Sequence, residues 1–194
     1  MKTWKDITLR QAQELFTLDP KDFSEDFAYE IEMLSILTDK DPTEIESQLS
    51  AQELLDALKE YEFTKTLPKE NHVKVIEVNG KRYGQCELDK LSLGQMVDIE
   101  EYVNLGITEN IHNIMGILYL PIVEENGEDY KLEKYEASSD RAQEFLDCDM
   151  ETIYGNLLFF YLIVAEFTNS LKDSLVEAGM KNLTKTMMTT DQIV

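Results

Sequence analysis

Residues 73–88 read VKVIEVNGKRYGQCEL, two strand-like segments on either side of an Asn-Gly pair. Asn79-Gly80 suits a two-residue type I′ turn, because both central positions of that turn need positive φ. Val73 and Val75, with Val78, alternate against Lys74 and Glu77, so one face seeks a core while the other meets water. The expectation is a β-hairpin, about 73–78 paired with 81–88, with Tyr83 on its second strand. Two strands alone are marginal in water. This hairpin must therefore lean on helices or on another chain.

Helical spacing surrounds it. On the N-terminal side, Thr8 caps a segment with Leu9, Ala12, Leu15 and Phe16 on one face, stopped by Asp19-Pro20. Ser24 opens a second helix, with Phe27, Ala28, Ile31, Leu34 and Leu37 on one face. A break at Asp41-Pro42 precedes a third carrying Ile45 and Leu49. Ser50 begins a fourth, with Glu53 completing a capping box.

On the C-terminal side, Ser92 and Gln95 form another capping box. They open a helix with Met96, Val97, Ile99 and Tyr102 or Val103 inward. Thr108 caps a helix ended by Pro121, residues 124–130 read as an acidic turn, and Ser139 or Asp140 starts a short helix through Phe145. The longest element spans 149–178 and is closed by Gly179. The tail from Lys181 has no core face and is expected to order only on a partner. The fold expected is mainly α with a small β-hairpin (α+β), a helical bundle around a long C-terminal helix. Its divisions are an N-terminal helical segment (1–66), a hairpin plus helical core (67–180) and a tail (181–194), expected as one compact unit.

Within the long helix, Leu157 to Ala165 is apolar all round. Such a helix is enclosed by neighbours, which makes this run the central pillar of the fold. The alternative is burial in an oligomer interface, with Phe159, Phe160 and Tyr161 as anchors. The run is about half of the ~20 apolar residues that a membrane span needs, and Glu166 follows it.

The 194 residues carry a formal charge of -21. Residues 1–60 hold 15 acids and 6 bases, 61–120 hold 9 and 6, and 121–194 hold 15 and 6. Two acidic flanks thus enclose a nearly neutral middle, where copies of the chain approach with least repulsion. Such a field repels phosphate backbones and anionic membranes and favours basic protein partners, although the acids also serve solubility alone. The two cysteines, Cys86 and Cys148, are too few for a zinc ribbon and fit a reducing cytoplasm. The start, MKTWKDITLR, has no apolar signal core.

Residues that carry chemistry are sparse. The only histidines are His72 and His112, and Glu109 is the one acid sharing the latter's helix face, which makes half a metal site. No G-x-S-x-G signature, calcium loop or phosphate-cradling glycine loop is present. No catalytic, cofactor or metal residue is assigned.

Several blocks, in order, resemble a known group: WKDITL, LSILTDKDPTEIESQLSAQELLDAL (34–58), VIEVNGKRYG, LSLGQMVDIEEYV, NIHNIMGILYLPI and the aromatic helix. The helical half is similar to tail-assembly-chaperone-like proteins of tailed bacteriophages. The series as a whole resembles acidic proteins from the structural-gene modules of phages infecting Bacteroidota, including the crAss-like group. It departs at Leu120-Pro121, where such proteins are expected to carry a basic residue before Pro. The resemblance implies a non-enzymatic role, chaperoning a tail protein or forming part of the virion, in the host cytoplasm during assembly. Its partners would be other phage proteins, basic or coiled-coil-rich, or further copies of the chain, and not nucleic acid or membrane.

Two other readings remain: an acidic DNA mimic that occupies a host nucleic-acid-binding protein, and a small hydrolase or metal enzyme. For the binding reading, the hairpin edge offers Val73, Val75, Asn79, Gly80 and Tyr83, and the aromatic run offers Phe159, Phe160 and Tyr161. The contact is expected within about residues 70–120.

Overall fold

In the computed structural model, residues 2–127 and 129–161 are described. The hairpin forms from β1 (Val75–Val78) and β2 (Lys81–Gln85), with Val78 opposite Lys81. Asn79 and Gly80 take φ of 51° and 75°, the two positive values that a type I′ turn requires.

The hairpin does not stand alone, as expected, but two further strands of the same chain extend it, where the sequence reading has a hairpin only. β3 (Tyr119–Asn126) and β4 (Asp129–Leu132) extend it into a four-stranded antiparallel sheet of order β1-β2-β3-β4. The segment expected as an acidic turn is the end of β3, a tight turn with Gly127 at φ 68°, and the start of β4. Pro121, which lacks an N–H and reads as a helix stop, sits where β3 changes partners. Residues 119–121 pair with β2, and pairing with β4 begins at Ile122. An irregularity between Ile122 and Glu124 accompanies the change and leaves Val123 exposed. A Cβ on Gly84 would lie 2.5 Å from the Tyr130 ring, so this glycine lets β4 side chains lie across β2.

The helices follow their caps. α1 (Leu9–Thr17), α4 (Ala51–Lys59) and α5 (Leu93–Asn104) each start at a complete capping box, set by Thr8/Gln11, Ser50/Glu53 and Ser92/Gln95. α3 (Pro42–Gln48) has Asp41 as its cap and α7 (Ser139–Glu144) has Ser138. Two starts differ from expectation. α2 (Ala28–Thr38) follows Phe27 at φ 65° rather than Ser24, and α6 (Ile107–Leu118) begins after Gly106 rather than at Thr108.

α6 buries Ile111 and every residue from Ile114 to Leu118, more than any other labelled helix. Elsewhere Leu9, Tyr83, Tyr119, Phe145 and Ile153 each have almost no exposed surface. The N-terminal segment is tied in by Leu9 N donating to Cys148 O and Met150 N to Ile7 O, both at 2.8 Å. Residues 150–161 are helical. The rest of the helix expected over 149–178, and the tail after it, lie outside the described residues, so a bundle around a long C-terminal helix is not the fold described here. That fold is α+β, mainly helical, with a small antiparallel sheet.

Residues up to Leu157 form one compact unit, and a second begins at Leu158. Within the first, the helix at 150–157 meets the lead into β1. Gly155 makes the approach possible, because a Cβ there would lie 2.3 Å from Asn71 O. Beside it, the buried Asn156 accepts a hydrogen bond from Val73 N at 2.9 Å and donates to Thr152 O at 2.8 Å. In the second unit, Phe160 is buried and meets Tyr161 edge-on at 5.6 Å, while Phe159 and Tyr161 are half-buried.

Gly155→Ala forces a methyl into backbone that has no flexible end to move, and overpacking of this kind costs about 1–3 kcal/mol. Urea denaturation followed by circular dichroism should show a lowered midpoint with an unchanged slope. An unchanged midpoint would mean that the 71–73 segment does not lie on this helix.

Candidate protein-interaction surface

The outer edge of β1 is open over a short span. Gln85 N donates to Lys74 O at 2.8 Å, which makes 74–85 a hydrogen-bonded pair. By the alternation of antiparallel ladders, Ile76 and Val78 then face β2, while the amides of Val75 and Glu77 point outward. Among the described residues, no hydrogen bond reaches those outward groups.

Of the other hairpin residues singled out in the sequence, Val73, Asn79 and Tyr83 have partners within the chain. Val73 gives its N–H to Asn156, and its carbonyl accepts from Tyr119 OH at 2.7 Å. Asn79 Nδ2 donates to Asp147 Oδ2 at 3.0 Å, while Gly80 faces open space. Tyr83 is buried and donates its hydroxyl to Glu144. The structure therefore groups Val73, Val75, Asn79, Gly80 and Tyr83 on one anchored hairpin. Phe159, Phe160 and Tyr161 belong to the second unit.

Glu144 fastens the hairpin to α7. Its carboxylate receives the Tyr83 hydroxyl and, at 2.5 Å, Lys81 Nζ. Burial works to raise its pKa, but the hydrogen bonds from Lys81 and Tyr83 win and hold it below the usual carboxylate value. The Tyr83 phenol is pushed well up, first by burial and then by Glu144. A carboxyl with a lowered folded-state pKa stabilises above its unfolded value of about 4.5 and loses that contribution as pH falls through the folded value. Glu144→Gln should therefore cost about 1–2 kcal/mol at pH 7, reduced from the usual charged hydrogen bond because Lys81 is solvated. The difference from wild type should close in urea titrations below about pH 4.5. A pH-independent difference would show that lost packing, not charge, sets the cost.

α5 carries a surface that sequence periodicity placed inside. Met96 and Val97, expected inward, are 45% and 53% exposed, and Leu93 is 81% exposed. The cause is Gln95. After completing the capping box, its side chain turns inward and donates Nε2 to Ile117 O at 3.1 Å and to Cys86 Sγ at 3.5 Å. The buried stripe is thus Gln95 and Ile99, with Tyr102 and Val103 half-buried, and the helix is rotated accordingly. Leu93, Met96 and Val97 lie one turn apart on the outer face, and Glu100 and Glu101 follow on the next turn.

Beside this face, a cavity of about 200 Å³ opens between α5, α6 and the segment leading into α7. Asp98, Glu101, Tyr102, Tyr135 and Arg141 line it. Tyr135 donates its hydroxyl to Asp98 at 2.5 Å. Arg141 donates Nε to Gly116 O at 2.8 Å and Nη2 to Glu136 O at 2.7 Å, with its guanidinium 5.6 Å from the Tyr135 ring centre.

Elsewhere the reactive groups are subdued. His112 lies in a cleft with Arg10, Gln13, Glu14 and Glu109, and its buried Nδ1 has no hydrogen bond among the described residues. Burial and then Arg10 lower its pKa, which favours the neutral ring. His72 Nε2 lies 3.0 Å from Gln85 Oε1. Cys86 and Cys148 are free and buried, and burial pushes the Cys148 thiol up to about 12. Burial raises the Cys86 thiol as well, and so disfavours the reactive thiolate at both positions. Among the described residues, no group of three potential ligands is placed to hold a metal ion, and no helix is long and apolar enough to cross a membrane. No family model matches the chain, and no curated protein or solved structure is significantly similar to it.

Proposed function

We propose that this protein is non-enzymatic and works by binding other proteins during particle or tail assembly of a tailed phage. The observation that carries the binding reading is the outer face of α5, where Leu93, Met96 and Val97 sit exposed together on a chain of charge -21. Apolar side chains grouped on so acidic a surface mark an interaction site more readily than scattered ones do. The phage context rests on the resemblance of the ordered blocks from Trp4 to the aromatic helix. The contact falls within residues 70–120, where both α5 and the open edge of β1 lie. In this reading the chain acts in the host cytoplasm during assembly.

A DNA-mimic role is less well supported. Mimicry needs rows of unopposed carboxylates, and here Lys81–Glu144, Arg82–Glu125 and Lys90–Glu87 pair acids with bases along the sheet and the approach to α5.

Cross-linking in phage-infected cells, followed by mass spectrometry, should recover phage structural proteins attached through residues 70–120. Recovery of a host nucleic-acid-binding protein alone would favour mimicry, and recovery of neither would sink the binding reading. Duplex DNA should not shift in a gel at micromolar protein and physiological salt, because a net charge of -21 repels phosphate. A salt-sensitive shift would overturn that.

A further inference from the structure

The charge of the middle third is not evenly spread. Five of its six bases, Lys65, Lys69, Lys74, Lys81 and Arg82, precede residue 83. Residues 87–109 hold six acids (Glu87, Asp89, Asp98, Glu100, Glu101 and Glu109) against Lys90 alone, and Lys90 is paired with Glu87 at 2.5 Å. A nearly neutral third therefore contains a strongly acidic segment, and that segment includes α5 with its exposed Leu93, Met96 and Val97.

We propose that the outer face of α5 and the adjoining cavity form a docking site for a basic amphipathic helix of a partner protein. The proposal rests on the protein-binding reading above and names the partner's chemistry. Leu93, Met96 and Val97 offer i, i+3, i+4 contacts to the apolar stripe of a helix laid along α5.

Glu100 and Glu101 flank the stripe where a partner helix would carry Lys or Arg, and they steer such a helix to it. In the cavity, Asp98 and Glu101 beside the rings of Tyr102 and Tyr135 suit one long cationic side chain, by charge-assisted hydrogen bonds and ring contact. Arg141 shares this cavity, with Nε and Nη2 committed to the Gly116 and Glu136 carbonyls. It offsets one of the two carboxylates and leaves one in excess. The same charge works against an anionic lipid surface and against the acidic flanks of a second copy.

The test uses the full chain and a synthetic amphipathic Leu/Lys peptide, about five helical turns long. Its controls are a scrambled peptide of the same composition and a Leu/Glu counterpart. Calorimetry should give a micromolar Kd for the Leu/Lys peptide alone. The doubly substituted Leu93→Ser/Val97→Ser protein should bind at least about tenfold more weakly at any salt concentration, since exposed apolar contacts are lost. Glu100→Lys/Glu101→Lys should also weaken binding and flatten its salt dependence. Val123→Ser, at another exposed apolar position, should bind as wild type does.

Circular dichroism should show all variants folded. Equal binding of the scrambled peptide, no binding of the Leu/Lys peptide, or no effect of Leu93→Ser/Val97→Ser would each overturn the proposal. So would sedimentation showing a wild-type oligomer that Leu93→Ser/Val97→Ser makes monomeric, because a second copy would then cover the face. Failure here with the infected-cell cross-links intact rejects this surface and leaves the protein-binding reading standing, whereas absence of those cross-links rejects the reading itself.

Discussion

Asn156 reaches from a helix to the backbone of Val73, and the sheet depends on that contact. A two-stranded hairpin has too little buried surface to persist in water. Here it is held at both ends. At the open end, Asn156 takes the Val73 amide, and Gly155 lets the chain at Asn71 lie against the helix. At the turn end, Asn79 meets Asp147 while Lys81 and Tyr83 converge on Glu144. Between these ends, Ile76, Val78 and Tyr83 are buried. The ion pairs add register more than stability, since Lys81 and Arg82 are about half exposed or more and such pairs contribute little.

The hairpin was legible because a type I′ turn needs two positive φ values, and Asn-Gly is the pair that supplies them most readily. Capping boxes at Thr8, Ser50 and Ser92 were legible for a similar local reason: donor and acceptor lie three residues apart. β3 and β4 were not. Pro121 suggested a stop and Glu124–Glu125 suggested a turn, yet β3 exchanges β2 for β4 just beyond the proline and turns its acids to solvent. Nothing local reveals a strand whose partners change halfway. The rotation of α5 was hidden for another reason. Sequence spacing marks Gln95 only as a cap, whereas it caps through Oε1 and reaches the core through Nε2.

That dual use of Gln95 links the fold to the candidate surface. A buried amide needs hydrogen-bond partners, and Ile117 O supplies one in the last turn of α6. Once this contact fixes the rotation of α5, Ile99 follows inward at i+4, and Leu93, Met96 and Val97 have no core left to enter. The two neighbouring stripes compete for the interior, and the one that joins the satisfied Gln95 to Ile99, Tyr102 and Val103 is the one buried. Along the chain, the end of the hairpin and the start of α5 are separated only by the segment from Cys86 to Ser92. Cys86 N donates to Leu118 O at 2.8 Å, holding that segment to the end of α6.

Solubility alone does not explain the pattern on α5. A chain selected only to remain dispersed would carry polar residues at the outer positions of a helix whose packing is already complete. Polar substitution at Leu93, more than four-fifths exposed, would remove no core contact. Acids also surround these apolar side chains, residues 87–109 holding six of them against Lys90 alone. Charge beside an apolar stripe discourages like-charged copies from closing over it, while leaving it open to a chain of opposite sign. In the proposed docking site the two features would act together, the carboxylates excluding like-charged occupants and the apolar residues holding a basic one.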